Sequence, residues 1–282
     1  MNPIILGIVV PELFWIAFAF LFGSIVGSFL NVCIYRMPRE ESVVTPPSRC
    51  PGCKKPIQWY DNIPVLGWFA LGGKCRHCKK RISWRYPFVE ALTGLATVGT
   101  LYRFGFTPHG LVYLVLVYAL IVVSFIDIDF QIIPDEISVG GAGLGLLLSI
   151  VWPSLHGVHT WVQGWQQASL GILVGGGSLY VTGMLGDFLF KKESMGGGDI
   201  KLLAMAGAFL GWKVVLITFL ISPMIALIPG LMMIIFKKEH VIPYGPFLAA
   251  GLLITLFADN WLLRVTGIGE TIRLIHEYRQ WH

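Results

Sequence analysis

Two aspartates and four cysteines carry most of the chemistry this sequence could perform. Asp199 closes the stretch "SMGGGDIK", residues 194–201, where three glycines run into a carboxylate. Asp127 lies 72 residues earlier, in "SFIDIDFQIIPDEIS", followed closely by Asp129, Asp135 and Glu136. Carboxylates in or beside apolar segments are costly, which makes them candidates for function. Two aspartates brought together cannot both ionise cheaply, so they share a proton. One then acts as base on a water while its protonated partner polarises a carbonyl, chemistry that hydrolyses an amide without a metal or a nucleophilic side chain. No GxSxG or HExxH motif offers a competing hydrolase.

Each acidic residue also has a purely structural reading. Asp127 and Asp129 are two apart and fall on different helix faces, so at most one faces a bundle interior. Asp127, deeper in the apolar run, is the candidate; both could instead end the helix in interfacial water. Asp135 follows Pro134 and is expected to cap the next helix. Asp199 precedes the helical run "IKLLAMAGAFLG" and would cap it equally well, leaving Gly196, Gly197 and Gly198 as a flexible linker. Alternatively, the bare backbone of those glycines lets an extended peptide approach and bond to it in strand fashion.

The cysteines form two CxxC knuckles, Cys50–Cys53 and Cys75–Cys78, with 21 residues between them. Such a pair can close a tetrahedral four-thiolate zinc site of structural type. Basic neighbours favour thiolate, and a reducing compartment disfavours the alternative of disulfides. A metal would supply folding energy to an insert too small for a large core. The fifth cysteine, Cys33, reads as a small buried apolar residue.

These groups must be positioned by membrane helices. Of 282 residues, 55% are hydrophobic and 13% charged, about half the charge of a soluble domain, and the mean hydropathy is +0.70. The pattern predicts an all-α polytopic membrane protein with about eight spans, near 11–35, 86–104, 110–127, 136–154, 165–190, 199–212, 213–236 and 246–264. The sixth is short enough to be partial or re-entrant. The first has no basic leader and reads as a retained helix, not a cleaved signal. Eleven of the 21 lysines and arginines lie between Arg36 and Arg85. They mark that insert as cytoplasmic and put the N-terminus outside. The count returns 128–135, 191–198 and 237–245 to the cytoplasmic side, where Lys191, Lys192, Lys201, Lys237 and Lys238 agree. Asp127 and Asp199 then share one membrane boundary. The expected domains are a first helix over 1–37, the cysteine insert over 38–85, a membrane core over 86–264 and a polar tail over 265–282.

Other features have bland readings. Trp59, Trp68, Trp84, Trp161 and Trp165 suit interfacial anchoring. Asn31, Arg36 and Glu90 stand at membrane ends, where they either orient a ligand or serve as caps and snorkelling groups. "GGG" at 175–177 permits close helix packing.

Taken in register, "GSFLNVCIYRMP" (27–38), "PPSRCPGC" (46–53), "NIPVLGWFALGGKCRHCKKRISWRYPFVE" (62–90), "IDIDFQIIPDEIS" (126–138), "MGGGDIKLLAMAGAFLG" (195–211) and "IPYGPFLAAG" (242–251) resemble the type IV prepilin peptidases over nearly the whole chain. These are GxGD-type membrane aspartyl proteases of pilus and type II secretion systems. The resemblance implies that Asp199 is the aspartate of the GxGD signature, with Gly196 and Gly198 its glycines, and that Asp127 is its catalytic partner. It implies cleavage of a prepilin or pseudopilin leader after glycine, at the cytoplasmic face of the bacterial inner membrane, followed by N-methylation with S-adenosylmethionine. It links Gly73 and Lys74 to methyl transfer, where the residues alone read as a tight turn into the second knuckle. No GxGxxG follows a strand, so the methyl donor would need an unconventional site near the cysteine insert. Membrane lipid is the expected surrounding and nucleic acid is not an expected partner. Two other classes compete: a proton-coupled transporter with membrane aspartates as relay, and a tethered zinc module without catalysis.

Overall fold

The computed structural model describes the chain except residues 1–3, 6–7, 10–11, 51, 193, 233–234, 236–242 and 266–282, and only the backbone of 4–5, 8–9 and 259–265. The polar tail and most of the 237–245 loop thus lie outside the described residues. Apart from a two-residue strand pair, Ile4–Ile5 with Ile8–Val9, regular structure among the described residues is helical. Among the described residues four helices are long and apolar enough to cross a membrane: Glu12–Arg39, Pro108–Phe130, Trp161–Phe190 and Gly197–Met232. Their flanks stay apolar and open, with Leu13 77% and Phe188 81% exposed. Water would not tolerate so much apolar surface, whereas lipid is its natural solvent. The chain divides into two compact units, Met1–Phe130 and Gln131–His282.

In the first unit, α1 (Glu12–Arg36) packs on α3 (Arg85–Phe104) through small residues. A Cβ at Gly27 would lie 2.8 Å from the Glu90 Cα, and one at Gly94 would strike Ser24 and Phe20. The helix α4 (Pro108–Phe130) joins them, with the Thr97 and Tyr118 hydroxyls sharing a 2.8 Å hydrogen bond. Between α1 and α3 the chain leaves the bundle as the cysteine insert, whose described residues include a short α-helix, α2 (Leu66–Ala70), and 3-10 turns at Met37–Arg39 and Trp59–Asp61.

In the second unit, α6 (Trp161–Phe190) and α7 (Gly197–Met232) approach backbone to backbone. A Cβ at Gly171 would lie 2.1 Å from the Gly207 carbonyl oxygen, and one at Gly207 equally close to that of Gly171. Gly175 and Gly176 also face α7, whereas Gly177 meets nothing, so two of the three clustered glycines serve the packing expected of them. The neighbouring α5 (Asp135–Val151) reaches α7 through Gly141 and Gly145, and α8 (Gly245–Val265) through Gly251.

The sequence divides 199–236 into two spans at 212–213. The structure keeps one element, α7, but breaks its helical geometry at Gly211 (φ 77°, ψ 170°). That backbone is open to glycine and strained for other residues. Near the break the Ser149 hydroxyl lies 3.1 Å from the Ala208 carbonyl of α7 and 2.7 Å from the Gly145 carbonyl of its own helix. His156 shares a 2.8 Å hydrogen bond with the same hydroxyl.

Candidate active site and metal centre

Asp127 sits in the last turn of α4 and is buried, 6% exposed. Asp129, two residues on, turns outward and pairs with Arg85, whose guanidinium also donates to the Phe125 carbonyl at 3.1 Å and lies over the Phe125 ring. The two faces separate as the period of a helix demands. Asp135 is the first residue of α5, and Pro134 precedes it as cap, so the capping expected of Asp135 is not its role. Its carboxylate instead takes the Lys201 ammonium at 2.7 and 2.9 Å.

Asp199 is likewise not a cap. The helix α7 begins at Gly197, which makes Asp199 its third residue. Its N–H donates to the Gly196 carbonyl at 3.1 Å, and a Cβ on Gly196 would lie 3.0 Å from its carboxylate oxygen. An acidic side chain there also meets the positive end of the helix dipole. Gly197 and Gly198 consequently belong to the first turn of the helix, with Gly196 just ahead of it. Each has its own surroundings: Gly196 is covered by Asp199, a Cβ on Gly198 would strike Ile133 at 2.9 Å, and Gly197 faces open space.

The preceding loop is held down. Lys191 ends α6 in the left-handed conformation, and Asp187 accepts the Ser194 N–H at 2.7 Å. Ser194 and Met195 lie against Gly186 and Gly183, where larger residues would not fit. From the other side comes Tyr244, just ahead of α8. Burial pushes its phenol up to about 12, and the charge of Asp199 adds to the rise. In the sequence this tyrosine is visible only as part of "IPYGPF". A phenol set between prolines and glycine at a helix start was the available signal.

The four cysteines converge. One sulfur from each of Cys50, Cys53, Cys75 and Cys78 lies within 4.8 Å of all the others. The Cys50–Cys78 and Cys53–Cys75 sulfurs are 3.7 and 4.0 Å apart. Disulfide sulfurs would be about 2.05 Å apart, whereas a tetrahedron with metal–sulfur distances of about 2.3 Å has edges of about 3.8 Å. The two knuckles are copies of one turn. Cys50 donates its N–H to the Lys55 carbonyl and accepts from Lys54, just as Cys75 donates to Lys80 and accepts from Lys79. Lys54 (φ 58°) and Lys79 (φ 60°) both take the left-handed conformation this turn requires. Backbone N–H groups of Cys78 and His77 pull the Cys75 thiol down to about 6. The Lys80 N–H works the same way on Cys78, but desolvation and the neighbouring thiols outweigh it and push that thiol up to about 11. One ready thiolate among crowded thiols suits capture of a divalent ion. Cys33 is buried in α1, as expected.

Gly72 (φ 59°) and Gly73 (φ 66°) make the tight turn read from the sequence. Gly73 also touches Trp68: a Cβ there would lie 2.8 Å from the indole. Trp59, Trp84, Trp161 and Trp165 are exposed, as anchors should be, while the Trp68 indole N–H is tied to the Ile82 carbonyl at 3.1 Å.

Comparison with known proteins gives the chain its relatives. Residues 21–104 match the model of the bacterial Peptidase A24 N-terminal domain, and residues 114–231, which include both Asp127 and Asp199, match that of the type IV leader peptidase family. A prepilin leader peptidase/N-methyltransferase of Pseudomonas putida is 35% identical over 275 residues, covering 88% of this chain and 92% of that protein. Its namesake in Neisseria gonorrhoeae is 32% identical, covering 89% and 93%. That of Myxococcus xanthus is 40% identical over 218 residues, 77% of this chain and 63% of that protein. No solved structure matches significantly. On these matches the chain belongs to the type IV leader peptidase family.

Proposed function

We propose that this protein is a prepilin leader peptidase and N-methyltransferase of the bacterial inner membrane. In this reading it has about eight spans, its cysteine insert and acidic residues are cytoplasmic, and its N-terminus is outside. The first helix (1–37) and the insert (38–85) precede a protease core over 86–264, and 265–282 is a polar tail. Its substrates are prepilins or pseudopilins, whose apolar helix lies in lipid beside the enzyme while the basic leader stays in the cytoplasm.

Asp127 and Asp199 are the catalytic pair. The ionised carboxylate takes a proton from water as the water oxygen bonds to the scissile carbonyl carbon, while the protonated partner donates to the carbonyl oxygen. The tetrahedral adduct then breaks its carbon–nitrogen bond as a proton passes to the leaving nitrogen. Gly196, Gly197 and Gly198 receive the substrate backbone, and of the three the open face of Gly197 is the best placed for it. The observation that carries this assignment is placement: Asp127 is buried in the last turn of α4 and Asp199 stands in the first turn of α7 beside the glycines, both within the stretch that matches the type IV leader peptidase family, whereas Asp129 and Asp135 are exposed.

The four cysteines hold zinc in a structural role, since four protein ligands complete its shell. S-adenosylmethionine supplies an electrophilic methyl group. The protein must bring the new terminal amine, with its proton removed, to that carbon, and Gly73 and Lys74 belong to this second activity. Family membership favours this enzyme over the transporter and the non-catalytic zinc module.

The test is a product analysis. Purified protein given a prepilin and S-adenosylmethionine should yield a leader-free product one methyl heavier, by mass spectrometry. Recovery of intact, unmethylated prepilin would contradict the proposal.

A further inference from the structure

Within the first unit lies a cavity of about 920 Å³, walled by the end of α1, the start of α3 and the cysteine insert. Its size falls in the range of small-molecule sites, about 300–1,000 Å³. Cys50 and Cys75 of the metal centre form part of its wall, but the proposed peptide cleavage makes no use of it. Its chemistry is mixed in a specific way. Tyr35, Trp68 and Tyr86 contribute aromatic surface, Arg49 and Lys80 contribute positive charge, and Glu90 contributes a carboxylate.

Glu90 is the unusual member. It is buried, 8% exposed, accepts the Val65 N–H at 2.7 Å and is hydrogen-bonded by Ser28. The other carboxylate well covered in the wall, Asp61, is neutralised by Arg76 at 2.6 Å. Among the described residues no cation is paired with Glu90. A buried carboxylate with hydrogen bonds but no counter-ion, facing a roomy cavity, is built to meet a cation from outside. Aromatic faces stabilise the same charge.

We propose that this cavity binds the methyl donor, a nucleoside sulfonium, and that Glu90 faces its positive sulfur. The inference rests on the methyltransferase half of the proposed function. The ligand's parts find partners in kind: an aromatic wall for the purine, basic side chains for the amino-acid carboxylate, and Glu90 with the aromatic faces for the sulfonium. Trp68 is held along one edge of its indole, by its N–H bond to Ile82 and by Gly73 against the adjoining ring carbons. Gly73 is then a positioning residue that acts through Trp68. A Cβ there would lie 2.8 Å from the indole, which would have to shift, and would also occupy a left-handed backbone. Asn31 and Arg36 complete the frame rather than the ligand shell, since Asn31 donates to the Tyr86 carbonyl at 3.1 Å and Arg36 to the Ser42 and Pro46 carbonyls at 2.8 and 2.6 Å.

The experiment measures binding and not turnover. Full-length protein in detergent is titrated with radiolabelled S-adenosylmethionine and, separately, with S-adenosylhomocysteine, whose sulfur is neutral. Glu90→Gln should weaken the sulfonium ligand about tenfold or more and the neutral one clearly less, with bound metal per chain unchanged as a check on folding. Gly73→Ala should weaken both. On the unmutated protein, a photoreactive azidoadenine analogue of the donor should label peptides within 28–90. Equal loss of both ligands in Glu90→Gln, or label in helices beyond Gln131, overturns the inference and leaves the proposed function standing. A protein that cleaves prepilin but binds no methyl donor overturns the inference together with the methyltransferase half of that function.

Discussion

Four aspartates crowd the sequence around the proposed chemistry, and their neighbours separate them. Asp129 and Asp135 hold Arg85 and Lys201, cations that an active carboxylate would have to release. Asp129→Asn and Asp135→Asn should therefore cleave prepilin within about tenfold of the parent, since exposed ion pairs contribute about 1 kcal/mol or less; the measurement is the initial rate of leader release. The glycines make a second contrast. Gly197→Ala meets nothing in the protein, so its thermal stability should stay unchanged while KM for prepilin rises if the substrate backbone lies there. Gly198→Ala must displace Ile133 and should lower the melting temperature as well. Side-chain identity was readable from the sequence at this scale, and side-chain direction only in part. Helical period separated Asp127 from Asp129 correctly. It could not show that Asp135 would prefer Lys201, 66 residues away, to capping its own helix, because that choice depends on a partner in another element. Capping by Asp199, one of its two readings, misses for a related reason: glycine's weak helix propensity gives no sign that the helix starts as early as Gly197.

At the scale of elements, the metal knuckles were the most legible feature. Spacing alone predicted a four-sulfur cluster, and the matching turns at Lys54 and Lys79 explain why: each CxxC carries its own local geometry. Cys50→Ser with Cys75→Ser should lose bound metal, measured by elemental analysis, and should lose methylation before peptide cleavage, measured by product mass. Simultaneous loss of both activities would mean the insert also supports the protease. Helix pairing was less legible. Small residues announced close packing, but not which helix they would meet, since one glycine stripe fits many partners. The reciprocal contact of Gly171 and Gly207 makes a sharp test. Gly171→Val should destabilise the protein by about 1–3 kcal/mol or prevent its accumulation in the membrane, read by thermal unfolding in detergent. Gly177→Val, which meets nothing, is the control.

At the scale of the whole molecule, charge distribution is what sets orientation. The dense basic insert, set against the loops near 105–109 and 155–164, which hold no lysine, gives an experiment without a structure. In intact cells stripped of their outer membrane, Thr107→Cys should react with an impermeant thiol reagent, whereas Ser42→Cys should react only after permeabilisation. The reverse pattern would put the aspartates on the wrong side of the membrane for a cytoplasmic leader. The central claim is that Asp127 and Asp199 act as one catalytic pair. The most direct test is the single-turnover rate of leader release by Asp127→Asn and Asp199→Asn, each confirmed as folded by its metal content and elution volume. Loss of an acid or base should slow each variant by at least about 10²–10⁴-fold. Cleavage by either variant at close to the parent rate would contradict the pair.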